Sequence, residues 1–391
     1  MNSRERVLLA LNHKEPDRVP FDMGATVVTG ISMRAYRNLR KYLGLPDIEL
    51  QLADMFQQIA RVDDDVAERL EIDVRNVSPN PPASFEVDIQ DVGEYRRFHD
   101  EFNVGWRMPR DNGLYYDMFE HPLSGKQITE QEAENFNWPN PVEPSRFVGA
   151  RDAALKIREK EKRAVVIGSI SAGIMEIYAR LRGFENFFID FAQNKKTAAK
   201  FLDRILELRL AYWERMFEEV GDLADVVDTA DDLGAQHSML ISPRTYRELV
   251  KPRHKELFDF IHKHSNAKIF FHSCGAIRPI IPDLIEIGCD ILNPVQVSAR
   301  DMDSAELKRE FGKDLVFWGG GVDTQAVLDS GTPRQVRDEV KRRLNDLMPG
   351  GGFVFNTVHN IQANVPVENI IAMIETVREY GKYGNVQLPT E

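Results

Sequence analysis

The chain has little that could hold or anchor it by covalent or membrane means. Only two of its 391 residues are cysteine, Cys274 and Cys289, which gives no disulfide framework and fits a reducing cytosol. The amino terminus, Met1 to Leu11, mixes charges through its first turn and is too short in apolar residues for a signal peptide or a membrane span. A short amphipathic helix with Ser3 as its N-cap accounts for it better. Positive charge is in deficit, the net charge being −12, which argues against nucleic acid or an anionic membrane as partner. A cytoplasmic protein acting on a small molecule is the class that remains. No Gly-x-Gly-x-x-Gly follows an early strand, so a dinucleotide-binding sheet has little support.

What is present from Arg163 onward is a sustained alternation of short β-branched runs with helix-length amphipathic stretches. Ala164–Ile170, Ala224–Ala230, Lys268–His272, Asp290–Pro294, Leu315–Trp318 and Phe353–His359 read as strands. Thr197–Val220, the stretch opened by Ser242-Pro243, the one capped by Thr332-Pro333 and Pro366–Tyr380 read as helices. Such alternation predicts an α/β fold with a parallel sheet, and a (β/α)8 TIM-type barrel is the expected closure. Phe21–Gly24 reads as a first strand running into a small-residue loop that ends at Gly30. From about 78 to 145 the character changes. Phe85–Ile89 and Val104–Met108 alternate, and Asn112-Gly113 before Leu114–Phe119 is a hairpin signal. The expectation is one barrel domain over 1–391 carrying an antiparallel β insertion. Trp106, Tyr115 and Tyr116 are expected to pack that insertion rather than line a pocket.

In such a barrel the strand carboxyl ends share one rim, so the polar residues there form the candidate site. They are Asp231, Asp232, His272, Cys274, Asn293, Gln296, Asp323, Asn356, His359 and Asn360. Along an extended segment His272 and Cys274 point the same way, because side chains two apart share a face. Two imidazoles and a thiolate, from His272, His359 and Cys274, can bind Zn2+, with Asp232, a water or a substrate in the fourth position. Asp232 and His359 are the candidate catalytic groups, and Asn293, Gln296, Asp323, Asn356 and Asn360 the candidate substrate-binding ones. A Cys274 nucleophile activated by His272 is a rival reading without an obvious orienting third group. Asp231 reads better as a solvated turn or helix cap. Gly319–Gly321 fits a phosphate cradle or, more simply, a tight turn. Cys289 falls on the opposite rim and reads as a packed small hydrophobe.

The chain resembles the uroporphyrinogen decarboxylase superfamily over nearly its whole length. The matching residues are Glu15–Pro20, Ser242-Pro243 with Tyr246, His272–Gly275, Gly319–Asp323, and Asn356–Asn360 with Pro366–Ile370. The resemblance implies a (β/α)8 barrel and one of two chemistries. One is cofactor-free decarboxylation of porphyrinogen acetates. The other is zinc-dependent methyl transfer between corrinoid proteins, thiols, folates or methylated substrates. The decarboxylases carry an Arg-Gln-Ala-Gly-Arg-Tyr loop after the first strand, where this chain has Gly24–Gly30. Without those arginines an octacarboxylate is hard to hold. The methyltransferases are similar at His272 and Cys274, their His-x-Cys zinc motif. Their third ligand is a cysteine on the last strand, and His359 stands there instead. The resemblance therefore implies a methyltransferase whose corrinoid arrives on a separate protein. A metal-free carboxy-lyase acting on another carboxylate, or a non-catalytic tetrapyrrole- or corrinoid-binding protein, is the alternative. The sequence leaves open whether two copies pair as a homodimer.

Overall fold

The computed structural model describes residues 1–125 and 127–384. Seven strands form one parallel sheet: Val74–Val77 (β1), Ala164–Ile167 (β2), Val226–Ala230 (β3), Lys268–His272 (β4), Ile291–Asn293 (β5), Val316–Trp318 (β6) and Phe353–Val354 (β7). They lie side by side in chain order. The segment at Phe21 closes the ring. It forms a parallel bridge to Phe355, and its carbonyl accepts the Asp73 amide at 2.9 Å beside β1. The sheet is thus the predicted α/β TIM-type barrel, and its strands are apolar runs because helices cover the outside while side chains fill the inside.

The covering helices follow their sequence signals. Lys195–Val220 stands between β2 and β3, Pro333–Leu347 between β6 and β7, and Val367–Tyr380 after β7. The stretch from Pro243 contains a π turn at Tyr246–Val250 before the α-helix Lys251–His264. Pro252 lies early in that helix, and its missing amide makes a regular α-helical ladder through this point impossible. Asn2, not Ser3, caps the first helix: its side chain accepts the Glu5 amide at 2.9 Å.

The antiparallel insertion leaves the carboxyl end of β1 and comprises Gln90–Val92, Tyr95–His99, Gly105–Pro109 and Asp117–Glu120. Two expected strands shift. Phe85–Ile89 is irregular because the tight turn at Gly93-Glu94 pairs Val92 with Tyr95 and so sets the register. Leu114–Tyr116 belongs to the loop, and the strand begins at Asp117. Trp106 and Tyr116 are buried against Phe56 and Phe98, with ring centroids 4.6 to 5.6 Å apart, whereas Tyr115 is exposed. No helix among the described residues is long and apolar enough to cross a membrane.

Two carboxyl groups inside the barrel were not among the candidates. Asp228 shares register with Phe270, whose ring packs on Trp318, and Trp318 Nε1 donates to Asp22 Oδ2 at 2.8 Å. Burial pushes the Asp22 carboxyl up to about 7, against the hydrogen bonds it accepts. Burial likewise pushes Asp228 up to about 8, with Arg209 opposing and Asp22 adding. Above about pH 4 the unfolded chain sheds these protons while the folded one keeps them. Their contribution to stability therefore falls as pH rises from about 4 to about 8. Urea unfolding at pH 5 and pH 8 is expected to show wild type losing stability that Asp228→Asn retains, with a slope of up to about 1.4 kcal/mol per pH unit. Parallel pH profiles for the two proteins would contradict this.

Candidate metal centre

The centre begins with β4, whose residues Ile269 to His272 are buried. His272 ends the strand and Cys274 follows two residues on, so imidazole and thiol project to the same side, with Sγ 3.4 Å from His272 Nε2. His359 arrives from the far end of the chain, its ring 5.6 Å from that of His272 at a near-perpendicular tilt. One ligand atom from each of His272, Cys274 and His359 can be chosen so that all three lie within 4.8 Å of one another. β7 stops at Val354 rather than running to His359. The chain turns instead at Asn356, whose Nδ2 donates to the carbonyls of Asp22 and Thr29, and this turn delivers His359 to the cluster from a loop.

The protonation of His272 follows from its neighbours. Asn293 Nδ2 lies 2.7 Å from the Trp318 carbonyl, an atom that can only accept, so the amide nitrogen must face it. Asn293 Oδ1 is then the atom 2.5 Å from His272 Nδ1, and an amide oxygen also only accepts. Nδ1 therefore carries the proton, and the Nε2 lone pair is left facing Cys274 and the cluster. Asn293 was expected to bind substrate; both ends of its carboxamide are instead committed behind the imidazole. Gly319 keeps this arrangement possible, since a Cβ there would stand 2.9 Å from Asn293 Nδ2 and its φ is +88°. We expect Asn293→Leu to weaken metal binding about 10- to 100-fold, as losses of such orienting partners do, read by competition with a chromophoric chelator. Unchanged affinity would show that the tautomer is fixed by something else.

Burial pushes the Cys274 thiol well above its ordinary value, and the Asp232 and Glu176 carboxylates push it further. Without a cation nearby it stays a thiol at neutral pH. His359 is shifted the other way: burial, then His272, lowers it to about 3, so its imidazole is neutral at any physiological pH. Asp232 borders the cluster. Its Oδ1 accepts the Cys274 amide at 2.8 Å and lies 3.6 Å from His272 Nε2. The Asp232 side chain is 40% exposed, which leaves the carboxylate reachable from the mouth.

The other rim residues divide by what they touch. Asp231 is fully buried, not a solvated turn: it accepts the Met175 and Glu176 amides at 2.8 and 2.9 Å and lies 3.0 Å from His254 Nε2. It therefore caps the helix Ile174–Arg182 from another strand. Gln296 Oε1 accepts the Gly275 amide at 2.6 Å, fixing the loop after Cys274. Asn360 accepts the Gly30 amide and donates to the Val27 carbonyl and Gln57, pinning the small-residue loop. Asp323 accepts the Gln325 amide. Gly319 to Gly321 form a tight turn, their amides donated to the carbonyls of Val354, Thr357 and Asn356, so none is left for a phosphate. Cys289 is buried at 4% exposure, with its thiol on the Ile291 carbonyl. Glu176 lay outside the candidate set. It accepts the Asp232 amide and the Gly173 amide at the start of its own helix, and no local motif announced it, because glycine has no side chain with which to complete a capping box.

A cavity of about 410 Å3 opens beside the cluster, lined by His359 and Asn360 together with Thr324, Gln325, Asp329, Gln362 and Asn364. Its size suits a small molecule, and His359 is shared between cavity and cluster.

Comparison with known proteins gives both chemistries foreshadowed above. A methylated-thiol–coenzyme M methyltransferase of Methanosarcina mazei is 22% identical over 262 residues, covering 66% of this chain and 65% of the relative, just under two thirds of its length. A uroporphyrinogen decarboxylase of Geobacter sulfurreducens is 24% identical over 271 residues, covering 66% of this chain and 72% of the relative. In three dimensions a methyltransferase from Methanosarcina mazei superposes over 97% of this chain and 99% of its own, with TM-score 0.63 at 18% identity, which shows a shared fold. These relatives are enzymes. The model of the family described as "Uroporphyrinogen decarboxylase (URO-D)" matches residues 108–380, well over half of the sequence, and this chain belongs to that family.

Proposed function

We propose that the protein is a zinc-dependent methyltransferase that moves a methyl group between a small substrate, a thiol or a folate and a corrinoid carried by a separate protein. The observation that carries this reading is the donor set itself. His272, Cys274 and His359 bring two imidazoles and a thiol together, and Asn293 holds the His272 lone pair toward them. That set suits Zn2+, which takes nitrogen and sulfur ligands and in catalytic sites keeps a position open. Zn2+ would be held by His272, Cys274 and His359, with Asp232 beside it, and would supply a Lewis acid that lowers the pKa of a bound thiol or polarises a heteroatom.

The chain's own residues do the rest. Asn293 keeps His272 in the ligating tautomer. Asp232 fixes the Cys274 backbone through its amide and offers a carboxylate, itself reachable from solvent, to take up or return a proton at the mouth. His359 presents a neutral imidazole to both cluster and cavity.

A metal-free carboxy-lyase is the weaker reading, because among the described residues no lysine or arginine lines the cavity to hold a carboxylate substrate. Incubation of the purified protein with methylcobalamin and a panel of thiols tests the proposal. Thiol methylation that a chelator abolishes and zinc restores is expected. Release of carbon dioxide from carboxylate substrates, unaffected by the chelator, would overturn it.

A further inference from the structure

The cavity beside His359 is lined by amide side chains and one carboxylate, Asp329. Part of their N–H capacity is committed to the protein itself. Asn360 Nδ2 donates to Val27 and Gln57, Gln362 Nε2 to the Asn360 carbonyl, and Asn364 Nδ2 to Asp329 Oδ1. What these side chains leave for a ligand is one N–H each on Gln362 and Asn364 and three oxygens, Gln362 Oε1, Asn364 Oδ1 and Asp329 Oδ2, none of which has a hydrogen-bond donor among the described residues. Gln325 runs the other way, its Oε1 facing Ser298 at 3.4 Å and its amide nitrogen remaining free. No cation lines the cavity, and Asp329 forms no ion pair among the described residues. Asp329 is only partly exposed, so its charge is less screened than that of a fully solvated carboxylate.

We propose that this cavity binds the head of the small substrate and that the head is cationic, an ammonium or methylated ammonium group bearing at least one N–H. Asp329 is its counter-ion, and Gln362 and Asn364 accept its N–H groups. The inference rests on the reading of the adjoining cluster as the reacting centre, because His359 joins the two. The same carboxylate selects against a carboxylate, phosphate or sulfonate substrate by repulsion, with no lysine or arginine among the described lining residues to offset it.

Calorimetric titration of the full chain with dimethylammonium chloride, sodium acetate and acetamide tests this. Dimethylammonium is expected to bind at least about ten-fold more tightly than acetate or acetamide, and added salt is expected to weaken it. Asp329→Asn should cost about ten-fold or more in dimethylammonium affinity, and Asp329→Lys should reverse the preference toward acetate. Gln362→Leu, which leaves the carboxylate in place, should cost about three-fold or more, as loss of one hydrogen bond does. Thermal melts of each variant establish that it is folded, and Gln362→Leu keeps the test open if the Asp329 variants do not fold. Acetate binding as tightly as dimethylammonium, or affinities insensitive to both Asp329→Asn and Gln362→Leu, would overturn the proposal. Metal content measured on the same samples separates the two readings. Asp329-dependent cation binding by protein that holds no metal would sink the methyltransferase and spare this site, whereas metal-loaded protein with Asp329-independent binding would do the reverse.

Discussion

If the proposed centre holds zinc, replacement of Cys274 by alanine is expected to abolish its binding while leaving the barrel folded. The thiol is the one sulfur of the cluster, and a metal bound through two imidazoles alone loses the ligand that zinc holds most strongly. Bound zinc should fall from about one equivalent to below about a tenth, and methyl transfer should fall with it. Stability should change little, because Cys274 sits partly exposed at a strand end. Among the described residues, the Sγ contact to His272 Nε2 is the one side-chain hydrogen bond lost. Cys289→Ala is the natural control: that thiol is buried on the opposite rim, and metal content should not respond. Equal zinc in wild type and Cys274→Ala would place the metal, if any, elsewhere.

The largest effect on stability is expected at Asp231. Its carboxylate accepts two amides at the start of the helix Ile174–Arg182 and faces His254, which in turn lies 3.4 Å from the Tyr246 hydroxyl. Asp231, His254 and Tyr246 are all buried. Asp231→Ala removes one partner of a buried pair and uncaps a helix at once, for which about 3 to 5 kcal/mol is the usual cost. Urea unfolding should report that loss. Asp232→Ala, one residue on but 40% exposed, should cost about 1 kcal/mol or less. Similar effects from the two substitutions would mean that burial does not separate their roles.

These neighbours also show how far a sequence of this kind can be read. His272 and Cys274 were legible because a strand has a period of two, and that alone sets them side by side. The strand ends were legible from β-branched runs, and with them the rim. Partners across the fold were not. Asp231 caps a helix more than fifty residues earlier in the chain, and Asn360 pins a loop 330 residues away. No local pattern distinguishes these aspartate and asparagine side chains, committed to the fold, from ones free to meet a substrate. Asn293 is the informative case: a polar residue at a strand end was correctly placed on the rim, yet its carboxamide faces inward to an imidazole and a carbonyl. Asp22 and Asp228 were invisible for another reason. Within a short strand-like run a carboxylate reads as a solvent-facing position, and only closure of the barrel turns that position inward. His359 was placed at the right rim on the wrong element, because Asn356, held by the segment at Phe21 and its loop, ends β7 early.

X-ray absorption at the zinc edge, on protein purified without added metal, tests the centre most directly. The account predicts about one equivalent of zinc with one sulfur near ~2.3 Å and two imidazole nitrogens near ~2.0 Å, completed by a light atom. A protein that carries no zinc, or a zinc shell without sulfur, would contradict it.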